Sequence, residues 1–210
     1  MNIAILLFDR LTALDAVGPY EVLSRLPGAK VTFVAEQAGP KRTDTGQLAL
    51  TADASLAELQ HPELVLVPGG PGQTVLMEDG PVHDWLRAAH ATSEWTTSVC
   101  TGSLILAAAG LLEGRRATSN WQALQELGKF DVEVVPERVV FDGKLATSAG
   151  VTAGIDMALG LVARIANEQM AQAIQLGIEY DPQPPFDAGS PEKAPAEIVD
   201  AVRAYSRFTS

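Results

Sequence analysis

The sequence predicts an α/β protein whose β-sheet is largely parallel and covered by helices on both faces. Three observations carry this prediction. Short runs such as "NIAILLF" (2–8) and "ELVLV" (63–67) are apolar on both faces, as strands buried on both sides must be. Longer segments with helical spacing alternate with those runs. A hairpin signal, Asp142-Gly143, stands between two β runs in "RVVFDGKLATS" (138–148).

Taken in order, "NIAILLF" is the first strand, and "AVGPYEVLSRL" (16–26) follows as a helix with Val17, Val22, Leu23 and Leu26 on one stripe. "KVTFVAE" (30–36) is the second strand, and "TDTGQLALTA" (43–52) reads as a small β excursion. The third strand, "ELVLVPGG" (63–70), runs into glycines. "GPVHDWLRAAHA" (80–91) is a helix with Trp85 and Leu86 turned inward. "WTTSV" (95–99) is the fourth strand, and "TGSLILAAAGLLEG" (101–114) is a helix closed by Gly110 or Gly114. Beyond the hairpin, "VTAGIDMALGLVARI" (151–165) and "EQMAQAIQLGIEY" (168–180) are helices. The segment "DPQPPFDAGSPEKAP" (181–195) holds too much proline for either element and is expected to wrap over the surface. A short helix, "AEIVDAVRAYSRF" (196–208), closes the chain. No repeat, linker or low-complexity break interrupts the pattern, so residues 1–210 are expected to form one domain.

Composition narrows the function classes. With 47% hydrophobic and 20% charged residues, the 210-residue chain is globular. A formal charge of −11 disfavours nucleic acid as a partner, because a polyanion would be repelled. One cysteine cannot form an intramolecular disulfide, which fits a reducing compartment and a cytoplasmic location. The N-terminus has no basic stretch ahead of its apolar run, and no run approaches the roughly 20 apolar residues that a membrane span requires. No Cys/His cluster suggests zinc, and no phosphate loop or dinucleotide fingerprint is present, so neither a metal nor an organic cofactor is expected.

The single cysteine, Cys100, falls where the fourth strand gives way to a helix. In open α/β sheets, ligands bind beyond the carboxyl ends of the strands. Three features converge on that rim: Cys100, the run Pro68-Gly69-Gly70-Pro71-Gly72 after the third strand, and Asp15 after the first. Ser98-Val99-Cys100-Thr101-Gly102 sets small residues two positions either side of the cysteine. That is the steric logic of a nucleophile elbow, where a sharp strand-to-helix bend pushes a reactive side chain into the open. A thiolate at a helix N-terminus can have its pKa lowered to about 3.5–7.5, so the spacing predicts an accessible anion here. The N–H groups of Thr101 and Gly70, with Gly69 beside them, form a candidate oxyanion-type donor set. The bland alternative is that Cys100 is a small buried hydrophobe. Asp15 likewise has an alternative role as the N-cap of helix 16–26.

Beyond these local signals, "VPGG", "SVCTGSLILAAAGLLEGRRATS", "ERVVFDGKLATSAGVTAGIDMAL" and "LGIEYDPQPPFDAGSPEKAP" together resemble the ThiJ/PfpI family of the glutamine-amidotransferase-like superfamily. The likeness runs from residue 2 to about residue 203 and, within the family, points to its isonitrile hydratases. The resemblance implies a flavodoxin-like three-layer sandwich, a homodimer, and Cys100 as nucleophile. It also puts Asp15 opposite the cysteine, where many other members carry glutamate, and makes Thr101 an active-site position. Many relatives have a histidine where "RATSNW" here places Asn120, leaving Asn120 as a pocket contact or a strand-end residue. An amide cannot take and return a proton, and His61, His83 and His90 lie elsewhere, so amide hydrolysis is disfavoured.

The activity so implied is that of a hydro-lyase: water added to a small-molecule isocyanide gives an N-substituted formamide, through a Cys100 thioimidate with Asp15 as general acid and base. Two alternatives stay open. One is a glyoxalase- or deglycase-like enzyme of the same family acting on 2-oxoaldehydes. The other is a redox or ligand sensor using an exposed Cys100 thiolate. The turn "SAGVTAGID" (148–156), near the same rim, is read as structural, with Thr152 a cap and Gly150 and Gly154 permitting close packing. Asp156 is expected to be a helix-terminal or interface residue, and the resemblance implies pocket or dimer packing for Tyr20 and Glu21.

Overall fold

A computed structural model describes residues 1–208. In chain order, the strands and helices are β1 (Asn2–Leu6), α1 (Ala13–Leu23), β2 (Lys30–Ala35), β3 (Gly39–Arg42), β4 (Ala49–Ala52), β5 (Ala54–Ser55), β6 (Leu64–Val67), α2 (Pro81–Thr92), β7 (Trp95–Val99) and α3 (Gly102–Ala108). They continue as β8 (Arg115–Ala117), α4 (Leu124–Leu127), β9 (Val132–Val134), β10 (Val139–Asp142), β11 (Leu145–Ser148), α5 (Ala153–Ile165), α6 (Glu168–Gly177) and α7 (Ala196–Ala204).

Seven strands form the central sheet in the order β10-β11-β7-β6-β1-β2-β5. Every neighbouring pair is parallel except β10 and β11. The order follows from burial. All four residues of β6 are buried, as are four of the five in β1 and in β7, so these strands take the centre. Parallel strands need crossovers, and the helices that supply them pack in two groups. α1 and α6 lie against α5 on one side, while α2 and α4 lie against α3 on the other. Ile3, Ile5, Leu64, Leu66, Leu104 and Ile105, all inaccessible or nearly so, fill the space between sheet and helices. Truncating any of them to alanine would cost about 2–5 kcal/mol. The expected α/β sandwich is therefore observed.

The Asp142-Gly143 hairpin joins β10 and β11 with Gly143 at φ 61°, the left-handed geometry that such a turn favours. The excursion around 43–52 is a two-stranded antiparallel sheet, β3 with β4. Two expectations need adjusting. The helix expected to begin at residue 16 starts at Ala13 with Thr12 as its N-cap, so Asp15 lies inside the first turn and is not the cap. The helix after Cys100 is only seven residues long, because the chain turns at Gly110 with φ 78°. Neither the small parallel pair β8–β9 nor α4 was expected. Their segments are short, and their packing on neighbours rather than their periodicity fixes them.

Candidate active site

Cys100 sits at φ 57°, in the left-handed region that costs an ordinary residue energy. The tertiary structure holds it there from both ends of its peptide. Its N–H donates to the carbonyls of Ser148 (3.0 Å), the last residue of β11, and Ala149 (3.1 Å), just beyond it. Its own carbonyl accepts from Ser103 Oγ (3.1 Å) and Ser119 Oγ (3.0 Å). The bend is possible because the flanking residues are small. A Cβ on Gly102 would lie 2.1 Å from the Val67 carbonyl oxygen, and one on Gly69 would lie 2.5 Å from the Thr101 nitrogen. The elbow geometry expected from the spacing is present.

Asp15 comes to the same point from the first turn of α1 and is inaccessible to solvent. Its Oδ2 accepts the Gly69 N–H at 2.9 Å. Its Oδ1, also buried, has no partner with full hydrogen-bond geometry, and the Cys100 thiol lies against the carboxyl. Burial pushes the Asp15 pKa up to about 7, tempered first by the Gly69 N–H and then by the thiol. Burial also pushes the Cys100 thiol up, to about 12, and the neighbouring carboxylate adds to that shift. The N–H groups of Thr101 and Val151 and the charge of Arg207 oppose it but do not overcome it. This corrects the expectation of an exposed, low-pKa thiolate: Cys100 is 7% accessible, and at neutral pH it is a thiol. The following helix is too short, and the site too dry, for its dipole to win.

The candidate donor set is also rearranged. The Gly70 N–H donates to Thr101 Oγ1 at 3.0 Å, and the Gly69 N–H is taken by Asp15, so neither is free to face a substrate. The N–H groups that reach the sulfur are those of Thr101 and Val151. Val151 belongs to the 148–156 turn, to which the sequence assigns a structural role. That it faces the sulfur follows from the pairing of β11 with β7, which brings the two strand ends together.

Cys100 opens onto a cavity of about 410 Å³ lined by Arg10, Thr12, Gly70, Thr101, Asn120 and Val151, among others, and bordered by Tyr205–Phe208 after α7. Asn120 caps the short helical turn at Trp121–Ala123 through its Oδ1, which accepts the Gln122 N–H at 3.0 Å, and it borders the cavity as well. Gly150 is pressed against it: a Cβ there would lie 2.4 Å from Asn120 Nδ2. No histidine lines the cavity. His83 is bonded to the Leu76 carbonyl, His90 to Thr96, and His61 to Thr92.

Arg207 is a lining residue with no sequence signal. Its Nη2 donates to the Gly70 carbonyl (2.9 Å) and to Thr101 Oγ1 (3.2 Å). Nothing in the local pattern of the terminal helix says that the residues just after it will meet the turns that follow β6 and β7, more than 100 residues earlier. Other residues singled out from sequence take structural places. Asp156 pairs with Arg138, whose Nη2 also reaches Thr152 Oγ1 at 3.2 Å. Tyr20 packs on Phe33, with ring centroids 5.4 Å apart, and Glu21 pairs with Arg25. The 181–195 segment has no helix or strand and is mostly exposed; its stretch from Gly189 to Glu192 lines a separate cavity beside Asn120. Among the described residues, no group of three or more His, Cys, Asp or Glu side chains is placed to hold a metal ion, and no helix is long and apolar enough to cross a membrane.

A sheet of this order, with a strained cysteine at its carboxyl rim opposite a buried carboxyl, defines a class: the chain belongs to the DJ-1/PfpI family, whose model matches residues 1–164. Among particular relatives, the isonitrile hydratase of Pseudomonas putida is 43% identical over 203 residues, covering 97% of this chain and 89% of that protein. The crystal structure of a ThiJ/PfpI family protein from Pseudomonas syringae superposes with a TM-score of 0.93 at 38% identity, covering 97% of this chain and 84% of that one. The HTH-type transcriptional regulator CdhR of Pseudomonas aeruginosa is 31% identical over 78% of this chain, which spans only 49% of the regulator's length.

Proposed function

We propose that this protein is an isonitrile hydratase, a hydro-lyase that converts an isocyanide and water into an N-substituted formamide. The observation that carries the reading is the Cys100–Asp15 pair. A thiol and a carboxyl are buried together with no histidine in the cavity, and the carboxyl titrates near neutrality. The 43% identity to an isonitrile hydratase across nearly the full chain supports the same reaction.

The pair behaves as one unit, holding a single shared proton between about pH 7 and about pH 12. In that state the Asp15 carboxylate takes the thiol proton as the sulfur attacks the terminal carbon of R–N≡C. The carboxylic acid so formed protonates the same carbon, and the S–H bond has been added across it to give the thioimidate R–N=CH–S–Cys100. Asp15, a carboxylate again, then draws a proton from water as its oxygen attacks the thioimidate carbon. The nitrogen is protonated, the C–S bond breaks, and the sulfur recovers its proton while R–NH–CHO leaves. The Thr101 and Val151 N–H groups stabilise the sulfur while it carries negative charge. Thr101 fixes the glycine loop through Gly70, and Asn120 borders the space for R.

The redox-sensor alternative fits the site less well, since it needs an exposed and easily ionised thiolate, whereas burial leaves Cys100 7% accessible and raises its pKa. We further take the chain to work as one domain over residues 1–210, as a homodimer in the cytoplasm, without a metal or organic cofactor. Light scattering on the purified protein tests the dimer. The activity test is to incubate the protein with alkyl and aryl isocyanides and follow formamide formation. Wild-type turnover that Cys100→Ala abolishes is the expected result. Equal inactivity of both proteins on every isocyanide, with methylglyoxal consumed instead, would move the assignment to the glyoxalase-like alternative.

A further inference from the structure

We infer that the Cys100 cavity takes an isocyanide whose R group carries a carboxylate, held between the guanidinium groups of Arg10 and Arg207. This deepens the hydratase reading and rests on it.

Both arginines line the cavity that opens at Cys100. Neither pairs with a carboxylate among the described residues, whereas Arg25, Arg87, Arg115, Arg116 and Arg138 each do. Arg207 reaches inward although the residue as a whole is exposed, and its hydrogen-bond partners among the described residues are neutral: the Gly70 carbonyl, Thr101 Oγ1 and, at 3.4 Å, Thr74 Oγ1. A guanidinium offers five N–H groups in a planar fork suited to a carboxylate. Arg10 stands at φ 63°, a left-handed conformation fixed by its N–H bond to the Arg42 carbonyl and by its own carbonyl's bond from the Gly72 N–H. That bend places it at the mouth of the cavity.

The two guanidinium groups are close enough to repel. Arg207 is held below its ordinary pKa by burial first; the Cys100 charge opposes that shift, and Arg10 adds to it. Two acidic groups stand nearby: Asp15, buried against Cys100, and Asp44, which accepts from Thr12 Oγ1 at 2.9 Å and from the Thr45 N–H at 2.9 Å. Asp15 is engaged by the Gly69 N–H and the Cys100 thiol, and Asp44 by Thr12 and Thr45, so neither carboxyl pairs with the two cations. A neutral R group would leave like charges side by side in a half-enclosed space of about 410 Å³. A carboxylate would relieve that repulsion and accept from both forks. The space suits a ligand the size of a substituted benzene ring.

The test uses 4-isocyanobenzoate and its methyl ester as substrates, and the matching formamides, 4-formamidobenzoate and its ester, as calorimetric ligands that need no turnover. The wild-type protein should bind the formamide acid about tenfold or more tighter than the ester, a preference that shrinks with added salt. Arg10→Gln and Arg207→Gln should each reduce it, and the double variant should remove it. Arg207→Lys should restore part of it, and circular dichroism checks that each variant is folded. Hydration should follow the same order, read as the acid-to-ester ratio of kcat/KM. If the ester is hydrated but the acid binds no tighter, or the preference survives the double substitution, the inference fails and the hydratase reading stands. If the binding preference appears and then vanishes with the arginines while neither isocyanide is hydrated, the hydratase reading fails and the carboxylate site stands.

Discussion

The two rims of the sheet both depend on glycine, for opposite reasons. At the rim holding the β10–β11 turn, Gly143 has φ 61° and open space where a side chain would go. At the carboxyl rim, Gly102 sits in ordinary helical backbone, yet a Cβ there would lie 2.1 Å from the Val67 carbonyl oxygen. The first glycine satisfies a local dihedral requirement, and the second lets distant strands close around Cys100. The same contrast runs through their neighbours. The hairpin rim is a turn with its hydrogen bonds made. The cysteine rim concentrates a strained residue, a buried carboxyl and an unpartnered Oδ1. Stability was given up on one rim only, the one where chemistry is proposed.

That contrast can be broken most directly at the sulfur. Cys100→Ala should lower isocyanide turnover by about 10⁴-fold or more while leaving the circular dichroism spectrum intact. Asp15→Asn should cost about 10²–10⁴-fold in kcat/KM, because the amide can neither take the thiol proton nor return it. It should also remove a pH dependence. In the wild type, kcat/KM should rise as pH passes through about 7 and the carboxyl becomes a base, and the variant's residual rate should lack that rise.

The same residue tests the idea of sacrificed stability. The folded pKa of Asp15 is raised from 3.8 to about 7, so between those values the unfolded chain has released a proton that the folded one still holds. The Asp15 contribution to stability therefore falls as pH rises through that window. The loss is complete above pH 7 and amounts to roughly 4 kcal/mol at most. Thermal melts of wild type and Asp15→Asn should converge near pH 4 and separate toward pH 8, with the variant the more stable. A wild type that is equally stable relative to the variant at both pH values would contradict the assignment of a raised carboxyl pKa.

Smaller effects sharpen the comparison of the glycines. Gly102→Ala should destabilise the fold by about 3 kcal/mol through overpacking, and it should impair turnover by shifting the elbow. Gly143→Ala should cost about 1 kcal/mol, the penalty of a left-handed alanine, with turnover unchanged. Urea melts of the two variants, read beside their activity, should separate the two costs.

Much of the architecture was legible because it is written in local patterns. Apolar runs named the strands β1, β6 and β7, and Asp142-Gly143 named the hairpin. Small residues around Cys100 named the bend. Asp15 was found as a partner only through the resemblance and its place after the first strand. The pieces that could not be read are those with no local period: the β8–β9 pair, the Val151 N–H at the sulfur, and Arg207. Each depends on a contact between segments far apart in the chain.

The sequence by itself determined which residues are apolar, which are small, and where the backbone can bend, and these set the sheet, its layers and the position of the only thiol. The tertiary structure decided the protonation of that thiol. Ionisation depends on how much water surrounds a group and which charges face it, and both arise only when Asp15, Val151 and Arg207 are folded around Cys100. Read locally, the thiol was expected to be an anion; desolvation in the assembled site makes it the acid half of a pair that shares one proton.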